Sequence, residues 1–276
     1  SLSFRKSATR IWYNKFLTTK NYSEKHLITQ QSNNPKTYLM IEKINLNNIL
    51  FLDIETVPET ADFNSLDDEM KILWELKTQY QRKDEFSGEE FYDRAGIWAE
   101  FGKIVCISVG YFVIKGDIRN FRVTSFFGEE PKLLKDFNNL LNNHFNGPQH
   151  VLCGHNAKEF DIPFLARRMI INQIPIPDKL NLFGKKPWEI PHLDTLELWK
   201  FGDYKHFTSL KLMCKVLGIP SSKGDIDGSQ VGHVFYVEKD IDRIVTYCEK
   251  DTIAVAQIFL RLRREDLLID EEIIHV

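Results

Sequence analysis

The sequence predicts an α/β fold in which helices flank a mixed sheet of antiparallel and parallel strands. From residue 40 onward, short apolar runs alternate with longer segments that carry apolar residues at helical spacing. Two neighbouring apolar runs are joined by Lys115, Gly116 and Asp117, a tripeptide typical of a hairpin turn. Hairpin strands followed by strand–helix alternation indicate a mixed sheet covered by helices.

The strands and helices of the first half follow in order. Asn48–Ile54 is a short apolar run that predicts a strand with an acidic end. Residues 58–100 are polar, helix-prone and too long for a turn, so they predict a helical insertion. The hairpin strands are predicted at Ile104–Ile114 and Ile118–Phe127.

The second half continues the alternation. Lys132–Phe145 carries its apolar residues on one helical stripe, Val151–Cys153 predicts a buried strand, and Pro163–Ile171 predicts a helix. Two further helical patterns, Leu210–Leu217 and Ile241–Leu262, complete the predicted domain.

Composition excludes several classes of protein. With 276 residues, 43% of them hydrophobic, the chain can bury a sizeable core and is not of the disordered class. No apolar run reaches about 18 residues, so we expect no membrane span. Four cysteines without CxxC spacing predict buried, reduced thiols in a cytoplasmic protein rather than a zinc site: Cys106, Cys153, Cys214 and Cys248.

The net charge of −3 conceals an uneven distribution. Residues 1–39 hold seven Lys or Arg and one Glu, a net charge of +6, which leaves −9 on residues 40–276. We expect residues 1–39 to be a basic N-terminal extension, disordered or not native to the protein, and residues 40–276 to be the folded domain. A transit peptide and an arm that touches nucleic acid are the alternatives, and no apolar stretch predicts a secretory signal.

Three motifs place carboxylates where they could act. In the first, Asp53 and Glu55 alternate along the predicted strand and share a face, where two like charges repel unless a cation lies between them. Oxygen ligands of this kind suit Mg²⁺ or Mn²⁺. Two solvated acids at a strand end are the alternative.

The second and third motifs are ambiguous when taken alone. Asp161 follows a strand and stands at the carboxyl end of the sheet, where α/β proteins bind ligands, yet it also fits a helix N-cap before Pro163. Tyr247 and Asp251 lie four residues apart on a predicted helix and share a face, a spacing common by chance.

The order of the three motifs is more specific than any one of them. An Asp-x-Glu, then an Asn-x₃-Phe-Asp, then a Tyr-x₃-Asp resembles the DEDD 3′–5′ exonucleases of the tyrosine subgroup, which have a ribonuclease-H-like fold. Within that subgroup the chain most resembles the predicted exonucleases related to the proofreading domain of family B DNA polymerases. The resemblance extends over roughly residues 47–264.

The resemblance implies roles for individual residues. Two divalent cations, Mg²⁺ or Mn²⁺, would be held by the four acids Asp53, Glu55, Asp161 and Asp251. Tyr247 would orient the attacking water, since a phenol with its ordinary pKa is a poor base at neutral pH.

Three further residues match positions close to the substrate. Asn156 would lie near the scissile nucleotide, Phe160 beside the terminal base, and the backbone of Thr56 near the 3′ end. Their alternatives are a turn residue, a core residue and a polar strand end. The group His155, His192, Asp194 and His206 matches no zinc spacing and is given no role.

The resemblance therefore implies a metal-dependent 3′–5′ exonuclease that acts on the 3′ ends of single-stranded nucleic acid, DNA rather than RNA, and releases 5′-mononucleotides. An exoribonuclease that acts on short RNA and a nuclease-fold module that binds nucleic acid or a protein without cleaving are the alternatives. No membrane partner is expected, and the sequence indicates no particular protein partner.

Overall fold

The structure, a computed structural model, describes residues 41–83, 85–203, 205–220 and 226–276. The predicted basic extension, residues 1–39, lies outside the described residues. All of the described residues belong to one compact unit, Met40–Val276.

One mixed sheet forms the centre of the described chain. Its strands are β1 (Ile49–Pro58), β2 (Gly102–Lys115), β3 (Ile118–Phe127), β4 (Val151–Gly154), β5 (Leu193–Asp194) and β6 (Ile273–His275). They lie in the order β5-β4-β1-β2-β3-β6. The strands β1, β2 and β3 pair antiparallel, while β1–β4, β4–β5 and β3–β6 pair parallel. The predicted mixed sheet with its hairpin is confirmed.

Helices flank this sheet, as predicted. They are α1 (Asp68–Arg82), α2 (Gly88–Phe91), α3 (Glu130–His144), α4 (Asp161–Ile171), α5 (Thr195–Lys200), α6 (Leu210–Val216), α7 (Val231–His233) and α8 (Ile241–Leu262). A π-helical turn, Val234–Glu238, follows α7. In the described part of the chain, no helix combines the length and apolarity that crossing a membrane requires.

The segment predicted as a helical insertion, residues 58–100, contains α1 and α2. Asp67 caps α1 and Ser87 caps α2, each by accepting a backbone N–H three residues on. Trp74 of α1 is fully buried, and its indole donates to the carbonyl of Gly88 at 2.7 Å. Trp74 belongs to a small aromatic cluster beside the end of β1. The insertion therefore leaves the main sheet uninterrupted.

The first strand is longer than its sequence pattern indicates. The prediction that the strand ends at Ile54 is wrong, because β1 continues to Pro58, which pairs with Gly102 of β2. The pairing has one register shift, between Glu55 and Thr56. Carboxylates are polar and so suggest a strand end, but backbone pairing with β2 sets the length. Asp53 and Glu55 therefore lie inside a strand of the sheet.

The two faces of β1 pack against different helices, because successive side chains of a strand alternate. Phe51 contacts Phe259 of α8, with ring centroids 5.8 Å apart. Leu52 belongs to the cluster on the other face, with Phe137 of α3 and Leu165 of α4. Asp53, two residues after Phe51, therefore shares the α8 face of the sheet.

A buried arginine connects α4 to three other segments. Arg168 donates from Nε to Glu130 at 2.8 Å, from Nη2 to Glu59 at 2.9 Å and from Nη1 to the carbonyl of Ala99 at 2.9 Å. Glu130 also accepts the backbone N–H of Ile104. Since Arg168 is 4% exposed and Glu130 8% exposed, each needs the other to compensate its lost hydration.

We expect Arg168→Met to lower the free energy of unfolding by about 3 kcal/mol, because it leaves the Glu130 carboxylate buried without its partner. The measurement is urea unfolding at pH 7. Arg167→Met, at the exposed neighbouring position, is the matched control and should change stability by less than about 0.5 kcal/mol. Equal effects of the two substitutions would contradict a stabilising role for this ion pair.

Candidate active site

The structure brings the acids of all three motifs together around β1. Asp53 and Glu55 come from β1, Asp161 from the start of α4 and Asp251 from the middle of α8. The charges of Glu55, Asp161 and Asp251 each act to raise the pKa of Asp53. Residues distant in sequence thus form one electrostatic cluster.

A thiol also belongs to this cluster. Among the described residues, Asp53, Glu55 and Cys248 are the group of three whose metal-ligating atoms all lie within 4.8 Å of one another. The Cys248 thiol donates to the backbone carbonyl and to Oδ2 of Asp53, at 3.4 and 3.5 Å. Sequence spacing assigns Cys248 only to the core, and its contact with the carboxylate depends on how α8 packs on β1.

Asp161 has a different environment from the one that its sequence context suggests. The N-cap prediction is wrong, because the helix cap is Phe160 and Asp161 is already the first residue of α4. Instead of capping its own helix, the carboxylate accepts the backbone N–H of Ile54 at 3.2 Å. This hydrogen bond joins the second motif to the first.

Burial makes the ionised cluster unfavourable in the absence of a cation. Desolvation, reinforced by the neighbouring acids, raises the pKa of Asp53 and of Glu55 well above the ordinary values. Burial also raises the pKa of Asp161 to about 7 and that of Asp251 to about 6. A divalent cation would compensate this repulsion, and carboxylate oxygens are the ligands that Mg²⁺ and Mn²⁺ prefer.

Tyr247 lies next to the acids, as its spacing predicts. Asp251 lies one helical turn further along the same helix, α8. Burial raises the pKa of Tyr247, and the charge of Asp251 raises it further. The phenol is therefore neutral at physiological pH and can donate a hydrogen bond or orient a water, but it cannot act as a base.

A buried carboxylate that sequence reasoning left without a role shapes the turn after β4. Asp194, at the end of β5, accepts the backbone N–H of Asn156 at 2.9 Å and of Lys158 at 3.0 Å. It also caps α5 by accepting from Leu196 and Glu197. The sequence signal that could have revealed this role of Asp194 is its position between a short strand and a helix.

The turn itself is sterically tight. Gly154 ends β4, and a Cβ there would lie 2.4 Å from Cβ of Ala157 and 3.1 Å from the carbonyl oxygen of Leu52. Asn156 adopts a left-handed conformation with φ of 63°, which asparagine tolerates better than most residues. The chain thereby turns within a few residues from β4 toward Asp161.

The three residues predicted near the substrate lie in different surroundings. Asn156 is half-buried in the turn held by Asp194, and Thr56 is half-buried at the register shift of β1. Phe160 packs on the core and on Phe164, with ring centroids 5.4 Å apart. Contacts with a nucleotide stay predictions for all three.

The chain was compared with known proteins. The family described as predicted 3′–5′ exonucleases related to the exonuclease domain of PolB matches residues 97–273, which include Asp161, Tyr247 and Asp251 and begin after the first motif. Among solved structures, the family B DNA polymerase from the hyperthermophilic archaeon Pyrobaculum calidifontis is similar, with 14% identity and a TM-score of 0.47. That similarity covers 77% of this chain and 24% of the polymerase chain, so the chain spans about a quarter of the polymerase's length. No curated protein matches the chain.

We expect Asp161→Asn to raise the free energy of unfolding in chelator at pH 8 by on the order of 2 kcal/mol. The raised pKa means that the folded state holds a proton more tightly than the unfolded chain, so ionisation of Asp161 costs stability as pH rises. The penalty is complete above a pH of about 7 and disappears as pH falls toward 3.8. The Asn side chain can still accept the N–H of Ile54.

Urea unfolding of both proteins between pH 4 and pH 8 measures this difference. Asp178→Asn, at an exposed position of the chain, is the control and should show no comparable pH-dependent gain. A gain for Asp161→Asn that stays constant with pH would argue against a buried, ionising carboxyl at this position.

Proposed function

Since the chain belongs to the family of predicted 3′–5′ exonucleases related to the exonuclease domain of PolB, we propose that it hydrolyses phosphodiester bonds at the 3′ end of single-stranded nucleic acid. The observation that carries the proposal is the convergence around β1 of a tyrosine and four carboxylates, two buried and two half-buried, drawn from three distant motifs. The products would be 5′-mononucleotides.

The donor set fits divalent cations. Burial raises the pKa values of all four acids, and the neighbouring acids raise those of Asp53 and Glu55 further, so the ionised cluster needs positive charge to be stable. Asp53, Glu55, Asp161 and Asp251 would hold two such cations, Mg²⁺ or Mn²⁺. When bound, the cations would activate water and neutralise charge at the scissile phosphate.

The other side chains of the site would position the reactants. Tyr247, kept neutral because burial and the nearby acids raise its pKa, would orient the attacking water without removing its proton. Asn156, in the turn held by Asp194, would contact the terminal nucleotide. Cys248 would restrain Asp53 through its thiol hydrogen bond.

DNA is the proposed substrate because the family is related to an exonuclease domain of DNA polymerases. A free 3′ end of a single strand can approach the carboxylates without the strand separation that a duplex end requires. An exoribonuclease would instead have to accept the 2′-hydroxyl of the terminal sugar.

We expect the protein to shorten a 5′-labelled single strand of DNA in steps of one nucleotide in Mg²⁺ or Mn²⁺, and to be inactive in EDTA. Asp53→Asn should lower the rate at least about 100-fold, because it removes a cation ligand without removing volume. A gel of the labelled products measures both effects.

The matched control is Asp178→Asn, which should retain the full rate. Undiminished cleavage by a folded Asp53→Asn protein would contradict the proposal. A gel shift of the strand with no ladder under any metal condition would favour a module that binds nucleic acid without cleaving it. Faster digestion of an RNA strand of equal length would favour the exoribonuclease.

We further expect Mn²⁺ to stabilise the folded protein, because the cation relieves repulsion that the unfolded chain does not have. Binding at 100 times the dissociation constant would add about 2.7 kcal/mol to the free energy of unfolding. Thermal unfolding with and without Mn²⁺ measures the gain, and Asp53→Asn should lose most of it. If Mn²⁺ raised the free energy of unfolding equally in both proteins, the cation would bind at a site that does not include Asp53.

A further inference from the structure

The loop between α5 and α6 exposes two aromatic rings beside a lysine. Phe201 is 87% exposed and Phe207 67% exposed. Lys205 and His206, both exposed, lie in the same loop. We call Phe201, Lys205, His206 and Phe207 the aromatic loop. Exposed rings near a basic side chain are typical of surfaces that bind single-stranded nucleic acid, since rings stack on bases and a basic group meets a phosphate.

Hydrogen bonds attach this loop to the second motif. The backbone carbonyl of Thr208, directly after Phe207, accepts from Nε2 of His155 at 2.8 Å. The other ring nitrogen of His155 then accepts from the hydroxyl of Thr195 at 2.9 Å. Burial lowers the pKa of His155, which keeps the ring neutral in this arrangement. His155 directly precedes Asn156, so the aromatic loop borders the turn that leads to Asp161.

The helix that follows the loop leads to the third motif. Helix α6 begins at Leu210 and packs on α8, with Cys214 and Ile258 in one buried cluster. Burial raises the pKa of the Cys214 thiol, and the charge of Asp251 raises it further, so Asp251 lies near this helix. The end of the loop therefore contacts the second motif at Thr208, and the next helix contacts α8, which carries the third.

We propose that the aromatic loop binds the single strand whose 3′ end lies in the carboxylate cluster, with bases stacked on Phe207 and Phe201 and a phosphate near Lys205. This inference rests on the proposed function. Stacking on the two rings would supply the attraction, and Lys205 would add one positive charge for a phosphate, which Asp203 of the same loop partly offsets. Stacking does not depend on the sugar, so the loop would hold DNA and RNA alike.

Binding measured without catalysis tests the inference. Fluorescence anisotropy in EDTA would follow 5′-fluorescein-labelled dT20 and rU20 with the intact protein and with Phe207→Ala and Phe201→Ala. We expect the dissociation constant to rise about 5-fold or more for Phe207→Ala, by a similar factor for both oligonucleotides. Tyr80→Ala, which removes a ring 84% exposed on α1, is the matched control and should bind as the intact protein does.

The outcome does not depend on the exonuclease assay, since no metal is present. Dissociation constants of Phe207→Ala and Phe201→Ala equal to that of Tyr80→Ala would overturn the inference. Where the protein does cleave, the KM for dT20 should rise in Phe207→Ala while kcat on a thymidine dinucleotide stays unchanged. An equal loss on both substrates would mean that the loop shapes the catalytic site, and would also overturn it.

Discussion

The repulsion among buried carboxylates is the constraint on which the rest of the structure depends. Asp53 and Glu55 share one strand face because of the period of two in a strand, and α8 then covers them together with Asp251. Low solvent access strengthens their repulsion, so the fold gives up stability at the place where a cation would be held. Such a local conflict between stability and arrangement is expected at functional sites.

The surrounding structure keeps these carboxylates in place through contacts that carry little charge of their own. Asp161 accepts a backbone N–H and Asp53 a thiol, and within the described parts of the chain no basic side chain forms an ion pair with either acid. Arg168, by contrast, compensates Glu130 away from the cluster. Cationic side chains are thus used to stabilise the scaffold, while the acids of the cluster keep their charge available for a ligand.

Features that depend on local periodicity could be predicted from the sequence. The hairpin β2–β3 and helix α8 follow from alternation, a turn tripeptide and a long apolar stripe. The two-residue strand β5 and the roles of Asp194 and Cys248 could not, because they arise from contacts between segments far apart in the chain. The N-cap interpretation of Asp161 failed for the same reason: its hydrogen-bond donor lies 107 residues away.

The hydrogen bond between Ile54 and Asp161 has a mechanical consequence. Strand β4 pairs with β1 only along Ile49–Phe51, so further along β1 a backbone N–H on that side would be left without a strand partner. The Asp161 carboxylate takes that place in the ladder. Asp161 is therefore both a member of the carboxylate cluster and a hydrogen-bond partner of a sheet strand. The start of α4 therefore cannot move away from β1 unless the sheet gives up a hydrogen bond from one of its central strands.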